Sequence, residues 1–300
     1  MKKYNFNFIK YSPIVAFISL SLVIASLFLA FTKGFNFGVD FSGGIVFEVR
    51  PEKEISIGEV RKIFEKESKK LPISEINIQE IVGSNDIMFR IGDKTNSDKQ
   101  RIKLVETLKV KILENLGDKT EFRKVDYVGP QVGKELVRDG AIAIILSFIG
   151  ISIYVWFRFE WQYGFGAIIA LIHDAIMVLG AYSFLGLEFN LASVAAILTV
   201  VGYSINDSVV IYDRIRENLR KYRKLELSEI INNSLNETLS RTILTVSTVL
   251  VALLALILLG GDALFSFSFA IFFGVLVGTY SSIYVSAPIL LLLKLKRQGD

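Results

Sequence analysis

The sequence has no cysteine and a single histidine, His173. The first absence removes disulfides, thiolate nucleophiles and thiolate metal sites, and the second leaves no histidine cluster to hold a metal. No cofactor is therefore expected. Net charge is also scarce: 34 basic and 30 acidic side chains leave +4 over 300 residues, and the excess sits mostly on the chain ends and one internal loop. Nucleic acid would call for a concentrated basic face, so it is not an expected partner. What the chain has instead is apolar length. It is 52% hydrophobic with a mean hydropathy of +0.47, and several runs approach or pass the roughly 20 residues that cross a bilayer as a helix. The expected class is an α-helical polytopic membrane protein, with no enzyme chemistry assigned to it.

The N-terminus carries Lys2, Lys3 and Lys10 and then the run SPIVAFISLSLVIASLFLAF (12–31). That run is longer than the roughly 7 to 15 residues of a cleavable signal's apolar region, and no A-x-A pattern closes it, so it reads as a retained first span. Residues 1–10 are then a cytoplasmic N-terminus and 11–32 the first transmembrane helix. Residues 33–138 have ordinary soluble composition and form an extramembrane domain. Within it IVFEV (45–49) is strand-like. SIGEVRKIFEKESKK (56–70) places Ile57, Val60, Ile63 and Phe64 on one helical face, behind Ser56 and Glu59 spaced as a capping box. EINIQEIVG (75–83) and DIMFRIG (86–92) read as strands joined by a tight turn at Gly83, Ser84 and Asn85. A second helix over 98–116 repeats Ile102, Val105, Leu108, Ile112, Leu113 and Leu116, and EFRKVDYVG (121–129) closes the unit as a strand. The order βαββαβ predicts an α+β, ferredoxin-like domain.

Five further spans occupy 139–293, at about 140–157, 163–185, 191–212, 242–259 and 264–293. With a cytoplasmic N-terminus, Arg158, the basic loop 213–241 and the tail 294–300 with Lys294, Lys296 and Arg297 all fall in the cytoplasm. The connections GLEFN (186–190) and GGDA (260–263), free of Lys and Arg, fall outside with the α+β domain. Each short cytoplasmic segment thus obeys the positive-inside rule. RIRENLRKYRKL (214–225) lacks glycine and proline and reads as a helical prolongation of the fourth span. Two sequons in this loop, at Asn232 and Asn236, are not expected to carry glycan on that side.

Charge inside a span is expensive and marks function by default. Asp207 lies in AILTVVGYSINDSVVIY (196–212), just ahead of the loop, and Arg241 stands where the chain re-enters the membrane. The two could meet at similar depth. An adjacent arginine favours the ionised carboxyl whereas desolvation opposes it, so a small movement would switch Asp207 between holding and releasing a proton. The alternative is a static ion pair that locks two helices. Ser204 and Asn206, within a turn of Asp207, are candidate supports for a water chain. His173 and Asp174 form a second mid-span pair, either a hydrogen-bonded contact between helices or a relay position beside Asp207. Gly274 and Gly278 make a small-xxx-small face suited to close helix packing. GPQVGKEL (129–136) is one residue short of a phosphate-binding loop and has Glu135 where Ser or Thr would hold magnesium, so it reads as a turn into the second span.

Five strings together resemble the SecF branch of the SecD/SecF family: NFGVDFSGG (36–44), VGPQVGKEL (128–136), LIHD (171–174), VGYSINDSVVIYDRIREN (201–218) and NETLSRT (236–242). They run through the chain in order, and the first is closer to SecF than to the LGLDLQGG form of SecD. The resemblance implies a fold of the resistance-nodulation-division (RND) superfamily type, with a six-helix bundle paired to that of SecD. It marks Gly38, Asp40, Phe41, Gly43 and Gly44 as the family motif, and Asp207 with Arg241 as members of a proton pathway. It also implies a multi-pass protein of the bacterial inner membrane that works with SecD at the SecYEG channel, with YajC and YidC as further partners. There it would use the proton motive force to promote late steps of polypeptide export. Two other functions are compatible with the residues: a structural subunit holding SecD at the channel, and a stand-alone exporter. One six-span half without an internal repeat argues against the exporter.

Overall fold

Lipid tails accept apolar surface without cost, so a membrane bundle reserves its interior for small residues, hydroxyls and rare charges. The computed structural model describes residues 5–52, 55–68, 71–81, 85–93, 95, 98–293 and 295, and its first helix follows this rule. α1 (Phe8–Thr32) buries Ser12, Ser19 and Ser26, one serine every seven residues, while Phe17, Phe28 and Phe31 are exposed. Ser26 packs on Gly180, where a β-carbon would fall 2.2 Å from the serine oxygen. Asn7 caps the helix by accepting from the Lys10 amide at 3.1 Å. Lys2 and Lys3, and the tail residues Lys294, Lys296 and Arg297, lie outside the described residues.

The chain separates into two compact units, Met1–Asn36 with Ile142–Asp300, and Phe37–Ala141. After β1 (Asn36–Phe37) and the one-turn helix α2 (Val39–Ser42), the second unit runs β2 (Gly44–Arg50), α3 (Ile57–Ser68), β3 (Ile73–Glu80), β4 (Ile87–Asp93), α4 (Asp98–Leu116) and β5 (Glu121–Val128). The sheet order is β3-β4-β2-β5, and all three pairings are antiparallel. This is the ferredoxin-like arrangement that the βαββαβ order predicts. β2 is central, with Phe47 opposite both Phe89 and Val125. Period-2 alternation turns Ile45, Phe47 and Val49 with Ile87, Phe89 and Ile91 toward the helices, where Val60 and Phe64 of α3 and Leu104, Leu108, Ile112 and Leu116 of α4 close the core.

One helical face differs from the sequence pattern. Ile102, expected in the core, is 62% exposed, and Leu104 takes its place. A strict four-residue step from Leu104 to Leu116 keeps one stripe on the sheet, whereas Ile102 lies two residues off that stripe. Gly83 and Ser84 of the expected tight turn lie outside the described residues. Around it, the Ile81 amide donates to the Asp86 carbonyl at 2.9 Å.

α5 (Pro130–Arg158) begins inside GPQVGKEL, so this string forms the first helical turns and is neither a loop nor a phosphate cradle. α6 (Trp161–Leu185), the short β6 (Glu188–Phe189), α7 (Leu191–Lys221), α8 (Leu227–Leu259) and α9 (Gly261–Ser281) follow. A π-helical turn (Ser282–Ser286) then leads into α10 (Ala287–Leu292). Six helical stretches are long and apolar enough to cross a membrane: Phe8–Thr32, Val132–Arg158, Trp161–Leu185, Leu191–Lys221, Leu227–Leu259 and Leu264–Leu292.

The connection over 213–241 is nearly all helix, in line with the expected prolongation of the fourth span: α7 continues to Lys221 and α8 starts at Leu227. A polar clasp pins the two prolongations together. Glu237 accepts from Arg214 Nε at 2.6 Å and from Asn218 Nδ2 at 2.8 Å, and Asn218 also donates to Ser234 Oγ at 3.0 Å. On the neighbouring face of α8, Asn232 and Asn236 hold the main chain of Phe6 and Phe8 through amide and carbonyl bonds of 2.8–3.0 Å. The sequon carboxamides are thus occupied by the protein's own backbone.

Candidate functional site

α7 starts at a capping box in which Asn190 and Ser193 exchange bonds, which fixes the phase of the residues that follow. Ser204, Asp207, Ser208 and Ile211 occur at helical spacing and all face inward. Asp207 is 7% exposed. Its carboxylate accepts a long bond from Thr279 Oγ1 of α9, at 3.5 Å. Beside it lies a cavity of about 10 Å³ walled by Tyr203, Ser204, Asp207, Thr245, Gly278 and Thr279, among others. That is space for a single water.

Arg241 acts on Asp207 through space without touching it. Among the described residues the two form no ion pair, and Arg241 is exposed on α8. The cause is register. The Asn218–Ser234 and Arg214–Glu237 contacts align α7 and α8 so that Thr245 comes level with Asp207 and shares its cavity. Arg241 precedes Thr245 by four residues, about 6 Å along the axis toward the α7–α8 turn. Asn206, next in chain to Asp207, is exposed on α7, whereas Ser204 is buried.

Ser204 connects the cavity wall to the second polar pair. Its Oγ donates to Asp174 Oδ2 at 2.5 Å, and Ser281 Oγ donates to the same oxygen at 2.8 Å. The other carboxylate oxygen faces His173 Nδ1 at 2.9 Å, and His173 Nε2 meets Ser19 Oγ at 2.6 Å. Adjacent residues diverge on a helix, yet His173 and Asp174 bond to each other because α1, α7 and α9 supply hydroxyls around them. Gly278 makes this possible: it lies opposite Ser204, where a β-carbon would approach to 3.1 Å. With Gly274 against Val200 it seats α9 on α7, so the small-residue face is used within the chain.

In the α+β unit the family motif surrounds a constrained turn. Gly38 precedes α2, which holds Asp40 and Phe41, and Gly43 (φ +69°) caps it. Gly44 has φ +132°, and a β-carbon there would lie 2.6 Å from the Ile91 carbonyl oxygen. Only glycine meets both conditions. Gly133 in turn allows the Phe41 and Asp40 carbonyls to approach α5, at 3.0 and 3.2 Å from where its β-carbon would be.

Residues 108–296 match the family model for the protein export membrane protein SecD/SecF, C-terminal, and residues 28–55 match the SecD/SecF GG motif. The chain belongs to the SecD/SecF family. Similar relatives include the protein translocase subunit SecF of Rickettsia rickettsii, 50% identical, and that of Rickettsia felis, 49% identical. Each alignment covers 96% of this chain and 92% of the relative. Among solved structures, the crystal structure of SecDF, a translocon-associated membrane protein from Thermus thermophilus, superposes with a TM-score of 0.86 at 39% identity. It covers 98% of this chain and 39% of that one. SecDF in its super-membrane-facing form gives 0.71 at 38% identity, covering all of this chain and 40% of that one. The chain thus spans about two-fifths of the SecDF polypeptides.

The family strings explain why Asp207 and Arg241 stand out in the sequence. Ser19, Thr245, Thr279 and Ser281 do not stand out, because a hydroxyl in a membrane helix usually bonds its own backbone. One available signal was the seven-residue spacing of Ser12, Ser19 and Ser26 in an otherwise apolar helix.

Proposed function

We propose that the chain is the SecF-type accessory subunit of the Sec protein translocase, acting with a SecD partner to couple the proton motive force to late steps of polypeptide export. The carrying observation is Asp207: a buried carboxylate in a membrane helix with, among the described residues, no cation bonded to it, one long hydroxyl contact and a water-sized cavity at its side. A carboxyl so placed is neutral when it holds a proton and calls for water or a cation when it releases one. Arg241, one turn away, is that cation. An extended arginine side chain covers a helical turn, so a change of rotamer or a slide of α8 on α7 brings it to Asp207 after deprotonation. Asn206 and Arg241 are exposed on the outer surface of α7 and α8. Polar groups exposed at membrane depth need a covering partner or water, and this supports the SecD bundle as the subunit packed there. The basic ends of the spans support cytoplasmic termini and an extracytoplasmic α+β domain that contacts emerging polypeptide. SecYEG is the docking partner in this reading, with YajC and YidC as accessory neighbours in the bacterial inner membrane.

The test is Asp207→Asn in the assembled SecD–SecF complex, with export and proton conduction measured in membrane vesicles. Loss of both with normal assembly is expected. If both stay normal, the coupling role is wrong. The exposure of Arg241 also favours a second reading, in which the polar face serves assembly. In that case Arg241→Ala reduces recovery of SecD with the chain, and Asp207→Asn leaves conduction intact.

A further inference from the structure

Asp207 is not the most deeply enclosed carboxylate in the membrane bundle. Asp174 is, at 0% exposure. Its neighbours account for its hydrogen bonds but not for its charge. His173 on α6, Ser204 on α7 and Ser281 on α9 bond its oxygens, and Ser19 on α1 bonds the far side of the imidazole. Among the described residues, the other titratable groups near this cluster are Tyr280, whose ring centroid lies 6.2 Å from that of His173, Tyr284, which borders the same cavity as His173 and Ser19, and Asp207 itself. Among the described residues no lysine or arginine bonds Asp174. A neutral imidazole donating from Nδ1 leaves the pair with one uncompensated negative charge in a low-dielectric core. One added proton, on imidazole or carboxyl, makes it neutral, and Ser19 Oγ can take a bond from Nε2–H or give one to bare Nε2.

The cluster also has a route to Asp207. Ser204 occupies the i−3 position to Asp207, bonds Asp174 directly, and is part of the wall of the water-sized cavity on which Asp207 and Thr279 also border. A hydroxyl accepts one proton as it donates another, so it can pass a proton without holding charge. We propose that the His173–Asp174 pair is a second proton-holding site of the bundle and that Ser204 is the hydroxyl through which it exchanges with Asp207. This rests on the reading of Asp207 as a titrating group. It assigns this six-helix half two proton stations on two helices, α6 and α7, with Gly278 of α9 keeping the hydroxyl between them.

Infrared difference spectra of the full chain in complex with its SecD partner, followed by carboxyl C=O stretch during pH steps and deuterium exchange, test the inference. Asp207→Asn should leave a titrating buried-carboxyl or imidazolium signal that Asp174→Asn removes. Ser204→Ala should preserve assembly and that signal while slowing its proton exchange by about tenfold, the scale of one lost hydrogen-bonded step. Ser281→Ala removes the other hydroxyl on the same oxygen but not the link to Asp207, and should leave exchange close to wild type. The inference is overturned if no such signal remains in Asp207→Asn, or if Ser204→Ala and Ser281→Ala slow exchange equally, the mark of a packing effect. Should Asp174→Asn fail to assemble, the contrast between the two serine variants still decides. Normal conduction in Asp207→Asn would defeat the coupling role while leaving the Asp174 signal to be read independently.

Discussion

Single residues show two kinds of constraint. Gly44 is steric: its φ of +132° and the 2.6 Å approach to the Ile91 carbonyl leave no room for a side chain. Gly44→Ala should destabilise the α+β domain by about 1–3 kcal/mol, seen as faster amide exchange in β2 and β4 of the full chain. Asp93 is electrostatic. Burial pushes its carboxyl up, but the Thr95 amide at 2.7 Å and the Arg101 guanidinium at 3.0 Å outweigh this and hold it below the usual carboxylate range. A pKa lowered in the folded state stabilises fully above the unfolded value, about 3.9 for aspartate, and this contribution is lost as pH falls through the folded value. Arg101→Ala should therefore weaken the domain at neutral pH and shift its acid unfolding to higher pH, measured by amide exchange against pH. A lost acid shift would show that Thr95 alone sets the carboxyl.

Helices and strands reveal where periodicity suffices and where it does not. Alternation along β2 and β4 and four-residue steps along α4 produce the core directly. Ile102 misled because a helix two residues out of phase looks equally periodic in a short window. In the membrane, hydropathy marks the spans but not their neighbours, which depend on glycine and serine. Gly278 lies against Ser204 and Gly274 against Val200, so Gly278→Leu should force α9 off α7. The chain should then lose thermal stability in detergent by an overpacking cost of about 1–3 kcal/mol or more, together with the Ser204–Asp174 bond. An unchanged melting temperature would mean that α9 rests on other contacts. The Asn232 and Asn236 clasp offers a milder test. Asn232→Ala with Asn236→Ala should free residues 6–8 from α8, raising spin-label mobility at that end without altering the bundle.

At the scale of the whole molecule, the two units solve different problems. The ferredoxin-like unit buries a continuous apolar core against water. The bundle turns its apolar side chains to lipid and encloses hydroxyls, two aspartates and a histidine. In the proposed function its polar outer face on α7 and α8 is where the partner bundle packs. With SecD bound, Arg241 should lose solvent accessibility, measured as protection of a cysteine placed there in an otherwise cysteine-free chain. Accessibility equal to that of the isolated chain would put the partner elsewhere. The family strings made the fold legible from the sequence, together with Asp207 as an energetic anomaly. Among the described residues Asp207 and Arg241 form no direct ion pair, because contacts well outside the apolar run set the helix register, although Arg241 still acts on Asp207 through space.

The sequence by itself determined the number of spans, the βαββαβ order and the glycines of the motif, since hydrophobic length, periodicity and φ are local properties. Only the tertiary structure decided which groups meet. It put Thr245 and Thr279 next to Asp207 and left Arg241 a turn away, and it gathered Ser19, Ser204 and Ser281 from three helices around His173 and Asp174. Those meetings depend on helix register and on glycine contacts, and no window of sequence contains both sides of such a contact.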